Sequence, residues 1–564
     1  MFRLSSKSSQ LDLFSGTQSL LTGRSLKIYE DKSLWHNQFR EQVTRRIDES
    51  LFSPLYKEDF GSPNAPIRIL IGMMVLKEAQ GWSDLQLFEH CQFNLLVRSA
   101  LGLFNIDDPI PADSTYYLLR KRIVNYEKEG HENLIEKVFA RITKSQAIDF
   151  QINGNKIRMD SKLMGSNIAW YSRYELIHET LSIVYGQNRE YLDRKLSESD
   201  INILSSISGE SGDKVCYRSN RQELKTKMSA MGKLIDRLLC IMSDSKTEAL
   251  QTLRRVFGEQ YEIIEGTVSV RSKHEISAKS VQSPYDTECT YRDKDGNRIK
   301  GYSINLTETC NPDNAVNLIT GVLTETASAA DCDFLQTAIE AAGDVVSGDV
   351  KTVNADGAYH NAGNQNYCEE KRIDLVVSAI QGKTSRYDLQ ADEKEGLIVT
   401  DLTTHAKVPV RKVESRKDGT DAKWVIKTEN NRYRYFTQKD IDTCLLRHKI
   451  AGRPQAALNF RNNVEASIFQ LGYHYPNDKS RYRGLIKHKM WANVRCLWIN
   501  FVRLSKFIAL SCPNYALNLK NRLVSSDILF YFFDFRRIPV LVSNHNTHSG
   551  GFLTLNGFLK KYFL

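Results

Sequence analysis

Alternating hydrophobic and polar residues predict a series of short β-strands in the middle of the chain. The segment Asn155–Gly165 alternates in this way, and Val350 and Val353 give a second segment the same preference. Gly357 follows the second segment and lets the backbone turn away from the sheet. Further strands are predicted at Arg298–Leu306, Val316–Thr324 and Ile373–Ala379. Together with a helix predicted at about 329–342 and another before the last strand, this order predicts an α/β domain.

Elsewhere the hydrophobic residues recur every third or fourth position, which predicts amphipathic helices. One such region begins near Trp35 and continues to about residue 150 as short helices. Another occupies about residues 171–264, where the Ser- and Gly-rich stretch Ser205–Gly212 is expected to be an exposed loop. A third helix is predicted at Gln455–Leu471. The residues before Trp35 are polar and rich in serine, and we expect them to form a flexible lead-in.

Three acidic residues stand within these predicted elements. Asp160 lies in the first strand, Asp356 ends the second, and Glu465 lies on the third helix. In open sheets with helices on their faces, ligands and metals collect at the carboxyl ends of the strands. Two carboxylates on strands and one on a packed helix suit Mg²⁺, a hard cation that prefers oxygen ligands. The plain structural alternatives are that the aspartates are strand-end turn residues and that Glu465 is a surface acid.

The segments around these acids resemble a known family. NADGAYHN around Asp356, IRMDSKL around Asp160 and the helix with Arg461 four residues before Glu465 resemble the Asp, Asp and Glu segments of DDE transposases from bacterial insertion sequences. Those enzymes have a ribonuclease-H-like catalytic domain. The resemblance extends to the segment 283–308 and, over residues 56–123, to the N-terminal segment of InsH-type transposases. It covers the chain from about residue 35 to residue 500.

The resemblance implies an activity, a cofactor and partners. It implies Mg²⁺-dependent cleavage of double-stranded DNA at the ends of an insertion sequence and strand transfer into target DNA, with Mn²⁺ as a possible substitute. Asp160, Asp356 and Glu465 would be the catalytic residues and the ligands of two metal ions. The protein would act as a homo-oligomer, at least a dimer on DNA. Leu458 and Gly472 depart from the family's helix signature, which often has Tyr and Lys at these positions.

Two other functions are consistent with the same residues. A metal-dependent nuclease of this fold would cleave DNA without joining it. A catalytically inactive protein derived from a transposase would bind DNA and do nothing further. Strand transfer into a target plasmid distinguishes a transposase from the first, and Mg²⁺-dependent nicking excludes the second.

Basic residues suggest where DNA would bind. The net charge of +10 favours polyanionic partners. A predicted helix that begins at Asp113 or Ser114 carries a basic triplet, and a second basic neighbourhood surrounds Glu465. The residues expected to contact DNA are Arg120, Lys121, Arg122, Arg461, Arg481, Arg483 and Lys487. The alternatives are a solvated basic face on a packed bundle and, for Arg461, either an ion pair with Glu465 or a role in orienting it or a phosphate.

These patterns, with the resemblance, predict the domain organisation. We expect an α/β ribonuclease-H-like catalytic domain with a β-rich insertion, preceded by an all-α N-terminal DNA-binding domain. The β-rich insertion either shapes the active site, contacts DNA or is a passive spacer. The predicted boundaries are 1–34 for the flexible lead-in, 35–150 for the helical DNA-binding domain, 151–396 for the first part of the catalytic core with its helical insertion at about 171–264, 397–440 for the β-rich insertion, 441–512 for the C-terminal helices of the core, and 513–564 for an unassigned tail.

Composition narrows the class of protein. The chain has 564 residues, enough for two or three domains. Its ten cysteines include no CxxC pair and no Cys/His cluster with zinc spacing, so we expect reduced thiols and no structural zinc. No signal peptide is recognised, and the apolar run Ile69–Leu76 is too short to cross a bilayer. We therefore expect a cytoplasmic protein, and the resemblance to insertion-sequence transposases implies that it is bacterial and associated with the nucleoid.

Overall fold

A computed structural model describes residues 1–5, 16–57, 61–294, 296–346, 348–380, 384–392, 396–413, 423–454, 460 and 463–511. Its N-terminal part is helical: α1 Gly23–Glu30, α2 Trp35–Gln42, α3 Ile67–Gln80, α4 Asp84–Phe93, α5 Leu95–Leu101, α6 Asp113–Lys128 and α7 Leu134–Asp149. Ser83 starts α4 with a capping box, and Gly81 ends α3 in the left-handed conformation that favours glycine. Because α1 precedes Trp35, the prediction of a flexible lead-in is wrong for residues 23–30.

Strand β1, Lys156–Gly165, follows these helices and leads into a helical insertion. The insertion consists of α8 Arg173–Asp193, α9 Glu198–Gly209, α10 Gly212–Arg218, α11 Arg221–Ile241, α12 Glu248–Gln260 and the hairpin β2 Tyr261–Ile264 and β3 Thr267–Val270. The helices predicted for this region are confirmed. The exposed loop predicted at Ser205–Gly212 is wrong, because Ser197 caps α9 and the buried Leu204 and Ile207 carry that helix to Gly209.

The main sheet joins β1 to later strands. These later elements are β4 Thr290–Lys294, β5 Asn297–Thr309, β6 Ile319–Thr326, α13 Leu335–Val345, β7 Thr352–Ala355, α14 Ala362–Glu370 and β8 Asp374–Val377. The strand order is β4-β5-β1-β7-β8, with β6 also paired to β5. β5 is antiparallel to β1, β4 and β6, whereas β1, β7 and β8 are parallel. The strands and helices predicted for this region are confirmed, with ends shifted by a few residues.

A β-rich region and further helices complete the described chain. The strands are β9 Tyr387–Asp392, β10 Gly396–Asp401, β11 Lys407–Val408, β12 Val410–Val413, β13 Lys423–Lys427 and β14 Tyr433–Phe436. They form two small sheets, of order β11-β10-β9 and β12-β13-β14. The predicted β character is confirmed, but it begins at Tyr387 and not at Leu397. The helices are α15 Gln438–Ala451, α16 Val464–Gly472 and α17 Leu485–Ser511.

The long helix α17 lies in a core shared by the N-terminal helices and the main sheet. One buried cluster contains Phe39 and Leu70 from the N-terminal helices, Ile304 from β5, and Trp491 and Leu497 from α17. The helical insertion has a separate buried cluster around α8, α11 and α12. Burial of these apolar side chains is the main stabilising term of such cores. Among the described residues, no helix combines the length and the apolar character that a membrane span requires.

Candidate active site

The pairing of β1 with β7 sets Asp160 level with Asp356. The two strands run parallel, and Arg158 is the partner of Asn354. Two residues further along both strands are Asp160, in the middle of β1, and Asp356, which directly follows β7. Neighbouring strands lie about 4.8 Å apart, and residues at one level project to the same face. The alternative that Asp160 is a strand-end turn residue is therefore wrong, and the two aspartates are neighbours across the sheet.

Local backbone geometry holds each aspartate in place. Asp160 Oδ1 accepts a hydrogen bond of 2.8 Å from the backbone N–H of Ser161. Asp356 Oδ1 accepts one of 2.6 Å from Gly357, at the start of a 3-10 turn. A Cβ atom at Gly357 would lie 1.8 Å from the carbonyl oxygen of Ala379, so only glycine fits there. Both aspartates are half-buried.

Helix α16, which carries Glu465, crosses the same face of β1. The backbone oxygen of Phe460, just before α16, accepts a 3.0 Å hydrogen bond from Arg158, two residues before Asp160. At the other end of the helix, a Cβ atom at Gly472 would lie 2.6 Å from Cε of Lys162, two residues after Asp160. Residues seven apart lie on the same side of an α-helix, so exposed Glu465 is on the side that faces Lys162.

A buried ion cluster fixes this crossing. Glu308 on β5 is fully buried, and Arg158 donates to it at 2.5 Å and Arg503 at 2.8 Å. Ser467 on α16 donates to the same carboxylate at 2.6 Å. Burial opposes ionisation, but the charges of Arg503 and Arg158 outweigh it, so the pKa of Glu308 is lowered. The cluster connects β1, β5, α16 and α17 directly beside the aspartates.

The opposite face of β1 carries a second polar network. Ser161 donates to Asp331 at 2.7 Å, and Arg292 forms an ion pair with Asp331 at 3.2 Å. Asn305 donates at 2.6 Å to the hydroxyl of Tyr359, which ends the turn after Asp356. Burial first, and then the charges of Asp160 and Asp331, raise the pKa of Tyr359 well above its usual value. The network fixes the turn that presents Asp356.

A basic cleft lies next to Asp160, and its lining residues were not among the predicted site residues. Its volume is about 240 Å³, and its charged lining residues are Lys162, Arg292, Lys294 and Asp478. Lys162 forms an ion pair with Asp478 at 2.7 Å. Lys162 could have been predicted from the sequence, because it lies two residues after Asp160 and therefore on the same face of the strand. Arg292 and Lys294 come from β4, so only the sheet pairing reveals them.

The basic triplet on α6 is largely packed against aromatic rings. The guanidinium of Arg120 lies 5.5 Å from the ring centroids of both Tyr116 and Tyr482. Arg122 lies 4.7 Å from the ring centroid of Tyr56. Both arginines are half-buried, whereas Lys121 is exposed. The contact with Tyr482 brings α6 next to the loop that precedes α17.

That loop carries the other predicted basic residues. Arg481 donates at 2.8 Å to the backbone oxygens of Gly81 and Trp82, which follow α3. Arg483 donates at 2.6 Å to the backbone oxygen of Asn167 and lies 5.4 Å from the ring centroid of Tyr285. Lys487 is exposed on the first turn of α17. Arg461 and Leu458 lie outside the described residues, as do residues 513–564.

The two groups of basic residues therefore come together in space, although they are far apart in the sequence. Tyr482 lies against Arg120 and between Arg481 and Arg483 in the chain. The hydroxyl groups of Tyr475 and Tyr482 also donate to Glu78 on α3. These contacts attach the N-terminal helices to the segment that follows α16, on the side of the sheet that carries the aspartates.

Comparison with known proteins finds a similarity in the N-terminal region. Residues 28–122 match the family model described as Transposase domain (DUF772). This match covers α2 to α5 completely and most of α6. Neither a curated protein nor a solved structure matches the chain significantly. The match supports a relation of residues 28–122 to a transposase family.

Proposed function

We propose that this protein is a DDE-type DNA transposase that cleaves the ends of an insertion sequence and transfers them into target DNA. The observation that carries this proposal is the register of β1 and β7, which sets Asp160 level with Asp356. Such a pair is what an Asp-Asp-Glu site requires, because metal-assisted cleavage of phosphodiesters needs adjacent carboxylates. The transposase domain at residues 28–122 supports the same function from an independent part of the chain.

The topology of the main sheet supports a ribonuclease-H-like core. In chain order it has β1 with Asp160, the three strands β4, β5 and β6, a helix, β7 followed by Asp356, a helix and β8. Apart from the additional strand β4, this is the order that the resemblance to DDE transposases predicts. The interruption lies after β1, where the helical insertion forms its own buried cluster. In sheets with parallel strands, bound ligands collect at the carboxyl ends of the strands, and Asp356 lies at such an end.

The donor atoms fit Mg²⁺. Asp160 and Asp356 are carboxylates at one level of neighbouring strands, and both are half-buried, so a hydrated cation can approach them. In each aspartate, one carboxylate oxygen accepts a hydrogen bond from the backbone N–H of the next residue. This hydrogen bond orients the other oxygen. Glu465 would complete the ligand set from α16. When bound, Mg²⁺ supplies charge stabilisation for displacement at phosphorus.

The residues around the carboxylates would bind and orient DNA. Lys162 and Lys294 line the cleft beside Asp160, where they can help to neutralise a phosphate, whereas Arg292 in the same lining is already paired with Asp331. Exposed Lys121 and Lys487 extend the positive charge outward. Arg481 and Arg483 use part of their donor capacity on backbone oxygens, which holds their guanidinium groups in position. Glu308 and its two arginines keep α16 across β1 and so position Glu465.

The function is tested with donor DNA that carries the element's ends, in Mg²⁺, comparing wild type with Asp356→Asn. The control is Asp349→Asn, which changes an exposed aspartate just before β7. We expect Asp356→Asn to lose joining while it retains DNA binding, and the control to join normally. Joining by Asp356→Asn at the wild-type rate would refute the assignment. Cleavage by wild type without joining would identify the nuclease alternative.

A further inference from the structure

A second group of potential metal ligands lies between the β-rich region and α15. Asp388 on β9 and Cys444 and His448 on α15 place one ligand atom each within 4.8 Å of one another. Asp388 Oδ1 lies 2.5 Å from His448 Nε2 and accepts a 3.0 Å hydrogen bond from Cys444 Sγ. Cys444 and His448 are four residues apart and so project from the same side of the helix. This group is separate from the carboxylates on β1 and β7.

Packing brings these three side chains together. Ile441 on α15 is buried in one cluster with Tyr387 and Leu389, the two neighbours of Asp388 on β9. The backbone N–H of Leu389 also points at Cys444 Sγ, at 3.2 Å. Asp388 is buried, Cys444 is partly buried, and the side chain of His448 is 49% exposed. The three donors therefore meet at the edge of a small core, with one side toward solvent.

The contacts among these three side chains shift the pKa values of Asp388 and Cys444. Burial opposes ionisation of Asp388, but hydrogen bonds from Cys444 and His448 outweigh burial and lower its pKa. Burial, followed by the hydrogen bond to Asp388, raises the pKa of Cys444.

We propose that Asp388, Cys444 and His448 bind a divalent cation of the zinc class. Thiolate, imidazole and carboxylate are the three ligand types that zinc takes in proteins, with bonds of about 2.0–2.3 Å. Their mixed character disfavours Mg²⁺, which prefers oxygen ligands alone. The exposed side of His448 leaves the fourth position to water or to a further ligand. No short sequence pattern marks the site, because Asp388 comes from a distant strand and the spacing of Cys444 and His448 is not that of a CxxC motif.

Such a site would fix the β-rich region to the main sheet. Two residues after α15, Arg453 forms an ion pair with Asp374 at the start of β8, at 2.6 Å. Leu446 and Ile450 of the same helix pack against the core that contains β7 and β8. A cation held by α15 and β9 would thus link the small sheet, through one helix, to the strand beside β7. Its expected contribution is structural.

Co²⁺ tests the proposal, because a thiolate ligand gives it a charge-transfer band that carboxylates do not. The full chain, stripped with chelator and kept reduced in excess Mg²⁺, is titrated with Co²⁺ and then with Zn²⁺. The test variant is Cys444→Ser, and the matched control is Cys240→Ser, which changes an exposed thiol of the helical insertion. We expect the band in wild type and in the control, its loss in Cys444→Ser, and its displacement by Zn²⁺.

Thermal unfolding provides a second readout. Zn²⁺ should raise the Tm of wild type and of Cys240→Ser and leave the Tm of Cys444→Ser unchanged, because only proteins with an intact site gain binding energy. If Cys444→Ser fails to fold, His448→Gln takes its place, with weaker Co²⁺ binding expected at the same thiolate. Absence of the band in wild type, or an equal band in Cys444→Ser, overturns the proposal. Neither readout depends on DNA joining, so failure here is distinct from failure of the proposed function.

Discussion

The buried Glu308 and the pair Asp160 and Asp356 lie on the same face of β1 and its neighbours, but their surroundings differ. Glu308 is fully buried, and its charge is balanced by Arg158 and Arg503. Asp160 and Asp356, at the next level of the sheet, are half-buried. Each binds the backbone N–H of the following residue, an interaction that needs an oxygen acceptor but no negative charge.

The difference in surroundings indicates that Glu308 supports the fold, whereas the two aspartates are candidates for catalysis. A buried carboxylate between two guanidinium groups is costly to disturb, because loss of one charge leaves the others desolvated. Two carboxylates at one level of adjacent strands repel each other unless positive charge lies close to both. Glu308 therefore holds β5, α16 and α17 together, whereas under the proposed function the aspartates serve to bind metal ions. Stability and joining activity should respond in opposite ways at the two places.

The largest effect on stability is expected from Glu308→Gln. The change leaves Arg158 and Arg503 buried without a compensating charge, which costs about 3–5 kcal/mol of unfolding free energy. Denaturant unfolding of the variant measures it. The control is Glu210→Gln, which removes an exposed ion pair with Arg218 and should cost under about 1 kcal/mol. Equal losses in the two variants would show that the buried cluster does not support the fold.

The second prediction concerns the free energy of unfolding at acidic pH. The pKa of Glu308 is lowered in the folded state from its usual value of 4.5, so the folded protein holds this proton less readily than the unfolded chain does. Its contribution to stability is therefore present above pH 4.5 and is lost as the pH falls through the lowered pKa. The difference in unfolding free energy between wild type and Glu308→Gln should shrink below that pH. A difference that stays constant with pH would contradict the ion cluster.

The separate elements of this region were predictable because their signals are local. Alternation in β1 and β7 requires only a few adjacent residues, and so does the capping box at Ser83. Local signals fail where composition and packing disagree. Ser205–Gly212 has the composition of a loop, yet the buried Leu204 and Ile207 keep most of it helical.

Relations between distant elements were not predictable by such signals. The register that sets Asp160 level with Asp356 depends on which strands pair, and no short pattern specifies that pairing. The same holds for Asp388, which meets Cys444 and His448 only after the β-rich region packs on α15. The acids were identified from the sequence by resemblance, whereas the basic cleft formed with Arg292 and Lys294 required the fold.

The third prediction is that Asp160→Asn changes stability by less than about 1 kcal/mol, because the amide oxygen can still accept the hydrogen bond from the backbone N–H of Ser161. Denaturant unfolding without Mg²⁺ measures it, and the DNA assay should show loss of joining by the same protein. Mg²⁺ should raise the Tm of wild type more than that of the variant. A loss of several kcal/mol of unfolding free energy would show that Asp160, like Glu308, stabilises the fold.

The smallest effect is expected at the exposed cations, where the contrast between balanced and available charge also applies. Arg503 is committed to Glu308, whereas Lys487 is exposed on the first turn of α17. If Lys487 contacts a phosphate, Lys487→Ala should lower the slope of log binding constant against log salt by about one, with little change in preference among DNA sequences. Lys246→Ala, at an exposed position in the helical insertion, is the control and should keep the wild-type slope. Because the slope counts released counterions and ignores folding, an unchanged slope in Lys487→Ala would exclude this lysine from the DNA interface even if overall affinity fell.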